Sequence, residues 1–302
     1  MESAIVVERL RKTYGDVVAV DDLTFGVDRG EIFGIIGPNG SGKTTTVEIL
    51  QGLRQPDAGV ISVLGLDPQS QGEDLRRRIG SQLQESALPD RLKVWEALDL
   101  FAAAAGDHRR DWREAARQWG IYDRRDAAYA NLSGGQRQRL FIALALITEP
   151  TLVFLDEMTT GLDPEARRVA WELIRSVREQ GATIVLVTHF MDEAEHLCDR
   201  IAVFQHGRIV ASDSPSGLIR RHGGDRTVRF STDARDLRWL AGAPCVRSVD
   251  RNGDEVAVRG DDAVLAHVGA ALVAHGMAPA DLRVDLPTLE DVYMRLVRAE
   301  AV

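Results

Sequence analysis

The chain has 302 residues, long enough for about two domains, and its balance of 44% hydrophobic and 27% charged residues suits a folded protein with a sizeable core. A net charge of −9 argues against a protein that coats nucleic acid, and it leaves clusters such as Arg76-Arg77-Arg78 and Arg124-Arg125 as solvated helix faces. Two distant cysteines, Cys198 and Cys245, argue against a disulfide framework or a zinc site and fit a reducing cytosol.

The start MESAIVVERL lacks a basic stretch followed by a long apolar one, so no targeting segment is expected. AIVVERL and LTFGVDRGEIFGIIG read as strands from their β-branched residues, alternation and glycine breaks. EIFGIIG then meets PNGSGKTTTVEILQGL, which has helical spacing. Strand, glycine loop and helix form half of a parallel α/β unit. GVISVLGLD returns to strand. From about 85 to 135 the patterns are helical, as in KVWEALDLFAAAA and WREAARQWGI, and predict a helical subdomain inserted into the sheet. The apolar run LFIALALI, which follows LSGGQRQR, is far short of the ~20 residues that cross a bilayer.

TLVFLDE predicts a buried parallel strand ending in acids. PEARRVAWELIRSVREQG has proline near its start and glycine at its end, the asymmetry of a helix. ATIVLVTH is a second buried strand, DEAEHLC a helix, and RIAVFQHGRIVASD a hairpin turning at His206-Gly207. A boundary falls in RRHGGD, residues 220–225, dividing a first domain, 1–220, from a second, 226–302. Beyond it RTVRFS, ARDLRWLAG, CVRSVD, EVAVRG, DAVLAHVGAALVAHG, DLRVD and TLEDVYMRLVRA give β-α-β-β-α-β and a closing helix, a ferredoxin-like order. The apolar spacing of DAVLAHVGAALVAHG is read as a contact between copies, with internal core as the alternative.

The segment Gly37-Pro38-Asn39-Gly40-Ser41-Gly42-Lys43-Thr44 fits G-x-x-x-x-G-K-[ST], and Thr45 continues it. Its glycines let backbone N–H groups turn towards phosphate oxygens, and the following helix aims its positive end at the same charge. Lys43 reaches the β and γ phosphates and Thr44 can hold Mg²⁺. Asp156, at the tip of a buried strand, is a second candidate for Mg²⁺, and Glu157 is placed to polarise an attacking water. His189 ends ATIVLVTH at the carboxyl edge of the sheet, where doubly wound folds bind ligands, and is expected to touch the γ-phosphate. Gln84, with Gln82 as a competing choice, lies at the entry to the helical insert. Tyr14 precedes the turn GDVV and can stack on a base. LSGGQ, Leu132 to Gln136, opens a helix: Ser133 with the Gly134 and Gly135 amides makes a second anion-binding end. One domain can hardly wrap both cradles around one triphosphate, whereas two copies placed head to tail can.

Tyr14, GPNGSGKTT, Gln84, LSGGQ, TLVFLDE, TTGLD and His189, in this order, resemble the nucleotide-binding subunit of an ABC transporter over roughly residues 1–220. The tail TLEDVYMRL is similar to the drug- and antibiotic-resistance exporter ATPases of the daunorubicin-resistance type. The resemblance implies an α/β, RecA-like P-loop NTPase core with an antiparallel β subdomain and the helical insert. It implies ATP and Mg²⁺, with Tyr14 on adenine and Lys43, Thr44, Thr45 and the loop amides on phosphate. Asp156, Thr44 and Gln84 are implied at the metal, with Gln84 also sensing the attacking water and coupling it to the membrane partner, Glu157 as general base and His189 as brace of the γ-phosphate. Ser133, Gly134, Gly135 and Gln136 would reach the ATP of a second copy, and Asp163 would lie in the loop crossing that interface. It further implies a head-to-tail homodimer, a separate transmembrane permease docking near the helical insert, no nucleic acid, and a cytoplasmic place peripheral to the membrane. Many members have proline where Met158 stands, which leaves the loop geometry there open. A soluble ABC ATPase acting on ribosomes or DNA, and a nucleotide-gated sensor, are the competing classes.

Overall fold

The computed structural model describes residues 3–82, 87–103 and 111–299. The chain divides into two compact units, residues 1–215 and 216–302.

In the first unit, β1 (Ser3–Tyr14) and β2 (Val17–Asp28) pair antiparallel around a turn at Gly15, where φ is +56°. Strand follows Tyr14 sooner than the GDVV turn suggests: Val17 and Val18 already belong to β2, and their exposure hides the usual apolar alternation. β3 (Ile32–Ile36) leads into α1 (Lys43–Leu50), followed by β4 (Ala58–Val63), α2 (Gly72–Arg76) and β5 (Ile79–Gln82). Between β5 and the next strand the described chain is helical, with α3 (Val94–Ala103), α4 (Trp112–Gln118) and α5 (Gly134–Leu146). Then come β6 (Leu152–Asp156), α6 (Pro164–Glu179), β7 (Thr183–Val187), α7 (Met191–Leu197), β8 (Arg200–Gln205) and β9 (Arg208–Asp213).

The main sheet has the order β5-β6-β7-β3-β8-β9; its first five strands are parallel and β9 closes it antiparallel. Every residue of β3, β6 and β7 is buried, which explains their unbroken apolar runs. A second, antiparallel sheet has the order β2-β1-β4. Val7 and Leu10 of this sheet, Val47 and Leu50 of α1, and Phe33, Phe154 and Phe204 of the main sheet share one core. Phe25 joins it, stacked on Phe33 at 5.6 Å and 5°. The packing fixes α1, and the loop before it, at the carboxyl edge of the main sheet.

Helix α8 (Pro215–His222) leads into β10 (Arg226–Ser231), α9 (Arg238–Ala241), β11 (Val246–Asn252), β12 (Glu255–Gly260), α10 (Val264–Ala274), β13 (Arg283–Asp285) and α11 (Leu289–Ala299). The sheet order β11-β12-β10-β13, antiparallel throughout, is the ferredoxin-like arrangement. ARDLRWLAG supplies only the four helical residues of α9. On α10, Val264, Val268 and Leu272 pack into this unit's own core beside Phe230 and Val258. The part of the apolar stripe formed by Val264, Val268 and Leu272, read as a contact between copies, is therefore internal core, while Leu265 and Val273 of the same helix are exposed. No helix among the described residues is long and apolar enough to cross a membrane.

Candidate active site

The loop between β3 and α1 is shaped by its glycines. Gly42 has φ +95°, and a Cβ there would lie 2.3 Å from the Ala19 carbonyl oxygen, so only glycine fits. Gly40 is also left-handed, at φ +78°. Lys43, the first residue of α1, is buried and donates from Nζ to the carbonyl oxygens of Gly37 at 2.8 Å and Pro38 at 3.0 Å. Burial pulls its pKa down, opposed by the charges of Glu157 and Asp156. The Ser41 amide donates to Pro38 O at 3.2 Å, while the buried Ser41 hydroxyl has no hydrogen-bond partner. A buried ammonium resting on carbonyls beside an unpartnered hydroxyl at a helix start suits an incoming anion.

Asp156 ends β6 and is 4% exposed. Burial, then the neighbouring Glu157 charge, pushes its pKa up to about 6 against the pull of Lys43. Glu157 follows with φ +50°, a sharp bend held by its amide donating to Val187 O at 2.9 Å. The bend turns Glu157 towards the strand end of β7, where His189 Nδ1 lies 3.3 Å from Glu157 Oε1. A cleft of about 510 Å³ gathers Tyr14, Asn39, Gly40, Gly42, Lys43, Thr44, Thr45, Asp156 and Glu157. Gly37, Pro38 and Ser41 complete the loop. Val17 and Ala19 also line the cleft. Sequence reasoning passes them over because β2 starts at residues that look like a turn.

Tyr14 is 40% exposed at the rim. Arg54 and Lys12 lie 5.2 and 5.5 Å from its ring centroid. Both cations are tethered, Arg54 to Glu48 at 2.6 Å and Lys12 to Asp57 at 2.8 Å. The Lys12 ammonium, with the Thr13 hydroxyl and amide, holds the Asp57 carboxyl down at a pKa of about 2.

The second cradle stands elsewhere: Ser133, Gly134, Gly135 and Gln136 do not line this cleft. Ser133 caps α5, its Oγ accepting from the Gln136 amide at 3.4 Å while Gln136 Oε1 accepts from the Ser133 amide at 3.0 Å. This reciprocal box holds the helix start open, with Ser133 and Gly134 exposed. Asp163 has a local task as N-cap of α6, accepting from the Ala166 amide at 2.8 Å ahead of Pro164. Gln84 lies outside the described residues; Gln82 ends β5, buried. Met158 is fully buried, an apolar anchor for the turn after Glu157.

A phosphate loop at the carboxyl edge of a parallel sheet, with two adjacent acids and a histidine converging on it, defines a P-loop nucleoside triphosphatase. The family model described as "ABC transporter" matches residues 20–160. The chain is 38% identical to the Nod factor export ATP-binding protein I of Sinorhizobium fredii over 98% of its length and 87% of that protein's. The relative of the same name in Ralstonia nicotianae is 38% identical over 97% of the chain and 94% of its own length. Among solved structures, an ATP-binding subunit of an ABC transporter superposes with a TM-score of 0.67 at 32% identity, covering 73% of this chain and 93% of that one. The chain belongs to the ATP-binding subunits of ABC transporters, and is an ATPase that uses ATP with Mg²⁺.

The donor set fits the metal. Mg²⁺ prefers hard oxygen ligands and commonly takes one or two carboxylates together with phosphate and water. Asp156 and Thr44 line the same cleft. A cation there would also offset the cost of an ionised carboxylate that is almost fully buried.

Proposed function

We propose that this chain drives export through a separate membrane subunit by closing head to tail with a second copy around two ATP molecules. The observation that carries the proposal is the separation of the two cradles: Lys43, Thr44, Asp156 and Glu157 share one cleft, while the exposed start of α5 at Ser133 is not part of it.

In this reading Tyr14 stacks on adenine and the loop Gly37–Thr45 wraps the phosphates, with Lys43 exchanging its two carbonyl partners for phosphate oxygens. Ser133, Gly134, Gly135 and Gln136 of the second copy complete the other side of the γ-phosphate, and Asp163 stands in the loop between the two sites. Thr44, Asp156 and Gln84 hold Mg²⁺, which when bound neutralises charge on the phosphates. Glu157 takes the proton of the attacking water, and His189 braces the γ-phosphate and orients the Glu157 carboxylate. When the γ-phosphate leaves, the contact that held the copies together is lost and the pair opens.

Export as the direction follows relatives whose names carry that word across nearly the whole of this chain's length. The membrane partner sets the transported compound, and a drug-like or antibiotic molecule is the class to which the TLEDVYMRL tail points. That partner docks near the helical insert. An apolar groove lined by Leu53, Ile79, Phe101 of α3 and Leu144 of α5 offers the surface, and Leu53 and Phe101 are half exposed. The chain then sits on the cytoplasmic face of the membrane. The test is co-purification with a membrane subunit followed by phosphate release. ATP turnover that rises in the complex and vanishes in Lys43→Ala supports the proposal; a chain that binds no membrane protein refutes it.

A further inference from the structure

Behind the Glu157–His189 pair lies an acid that the hydrolytic site does not use. Glu193, on α7, is fully buried. Trp171 of α6 donates its indole N–H to Glu193 Oε1 at 3.1 Å. The Thr188 and Thr159 hydroxyls lie against the same carboxyl and, with Trp171 and Arg167, partly offset the upward push of burial on its pKa. Neither Oε2 nor Thr159 Oγ1, however, has a closed hydrogen bond. Arg167 is only partly committed elsewhere: its Nη1 meets Asp192 Oδ2 at 3.3 Å and its guanidinium lies over the Phe190 ring, while its buried Nε has no hydrogen-bond partner.

The position of these groups matters more than their number. Thr159 stands two residues after Glu157, and Thr188 directly precedes His189. The Phe190 amide donates to Thr188 Oγ1 at 3.0 Å, tying the backbone on the far side of His189 to the same hydroxyl. One buried carboxyl therefore touches both segments that carry the reacting pair. A buried carboxyl oxygen and a buried hydroxyl of neighbouring residues, each without a hydrogen-bond partner, carry a standing penalty that pairing them through a small shift of the turn after β6 would remove.

We propose that Glu193 is a positioning residue: it links the Thr159 turn to the Thr188 strand end, and so sets the separation of Glu157 and His189. In the engaged site Thr159 Oγ1 donates to Glu193 Oε2, a bond left open in the structure described above. The inference rests on the hydrolytic roles of Glu157 and His189.

The test is steady-state phosphate release by the full chain for Glu193→Ala, Glu193→Gln and Thr159→Val, beside wild type and Glu157→Gln. Misplacing a reacting group by about 1 Å costs up to roughly 100-fold, so Glu193→Ala and Thr159→Val should lower kcat by about tenfold to 100-fold. KM for ATP should stay within about twofold, since the phosphate loop is untouched. Glu193→Gln should recover most of the rate, because its amide keeps an acceptor for Trp171 and can pair with both hydroxyls. If Glu193→Ala does not fold, Thr159→Val, which removes a single hydroxyl, decides the matter. Wild-type kcat in folded Thr159→Val, or a KM that rises as far as kcat falls, overturns the proposal. An inactive wild type, or an active Glu157→Gln, instead removes the hydrolytic reading beneath it.

Discussion

His189 Nδ1 lies 3.3 Å from Glu157 Oε1, and the two side chains arrive from the carboxyl ends of adjacent parallel strands. Glu157 bends there at φ +50°, its amide held by Val187 O of β7 at 2.9 Å. Glu157→Gln keeps the shape and removes the base. Phosphate release should fall by roughly 10²- to 10⁴-fold, the usual worth of a general base. ATP binding, followed by fluorescence of a labelled nucleotide, should persist.

Gly42 cannot carry a side chain without moving Ala19 of β2, because the Cβ would sit 2.3 Å from that carbonyl oxygen. Gly42→Ala should cost about 1–3 kcal/mol from the φ value alone. It should also abolish ATP binding, since Lys43 starts α1 at the next residue. A thermal melt with and without ATP separates the two losses: a lower Tm, and no rise on adding nucleotide.

Asp156 binds its proton more tightly in the folded chain, with a pKa of about 6 against an ordinary 3.8. Between about pH 4 and 6 the folded state thus holds more protons than the unfolded one, and stability falls as pH rises through that window. The loss is on the order of 3 kcal/mol and persists above pH 6. Without nucleotide or metal, Asp156→Asn should therefore be more stable than wild type at pH 8 and lose less stability between pH 5 and 8. Denaturant titrations at the two pH values measure this; parallel behaviour of the two proteins would contradict it.

Met158 packs fully buried in the turn where the resemblance to ABC subunits leads one to expect proline. Burial holds the turn by contact instead of by a ring. Met158→Ala should cost about 2–5 kcal/mol of stability, the range for emptying a buried methionine site. Urea unfolding reads the cost directly.

Much of this was legible because its signals are dense. Unbroken apolar runs mark β3, β6 and β7, and the phosphate loop has fixed residue types at fixed spacing. The short α2 and β5, five and four residues, were not legible, since neither spans enough chain for a period to show. The stripe on α10 misled because an amphipathic helix looks the same whether it faces its own sheet or a partner; only Val228 and Phe230 beneath it decide. Glu193 was missed for a related reason. On the sequence it is one acid among Asp192, Glu193 and Glu195, and its burial depends on Trp171, 22 residues away. Asp163 carried a readable N-cap signal, Asp before Pro, beside its expected place at the interface.

The shared site between two copies is the central claim, and sedimentation of Glu157→Gln with ATP and Mg²⁺ tests it most directly. The account predicts a monomer without nucleotide or with ADP, a dimer with ATP, and return to monomer when Ser133→Ala is added. A chain that stays monomeric with ATP bound, or a dimer indifferent to the loss of Ser133, would contradict it.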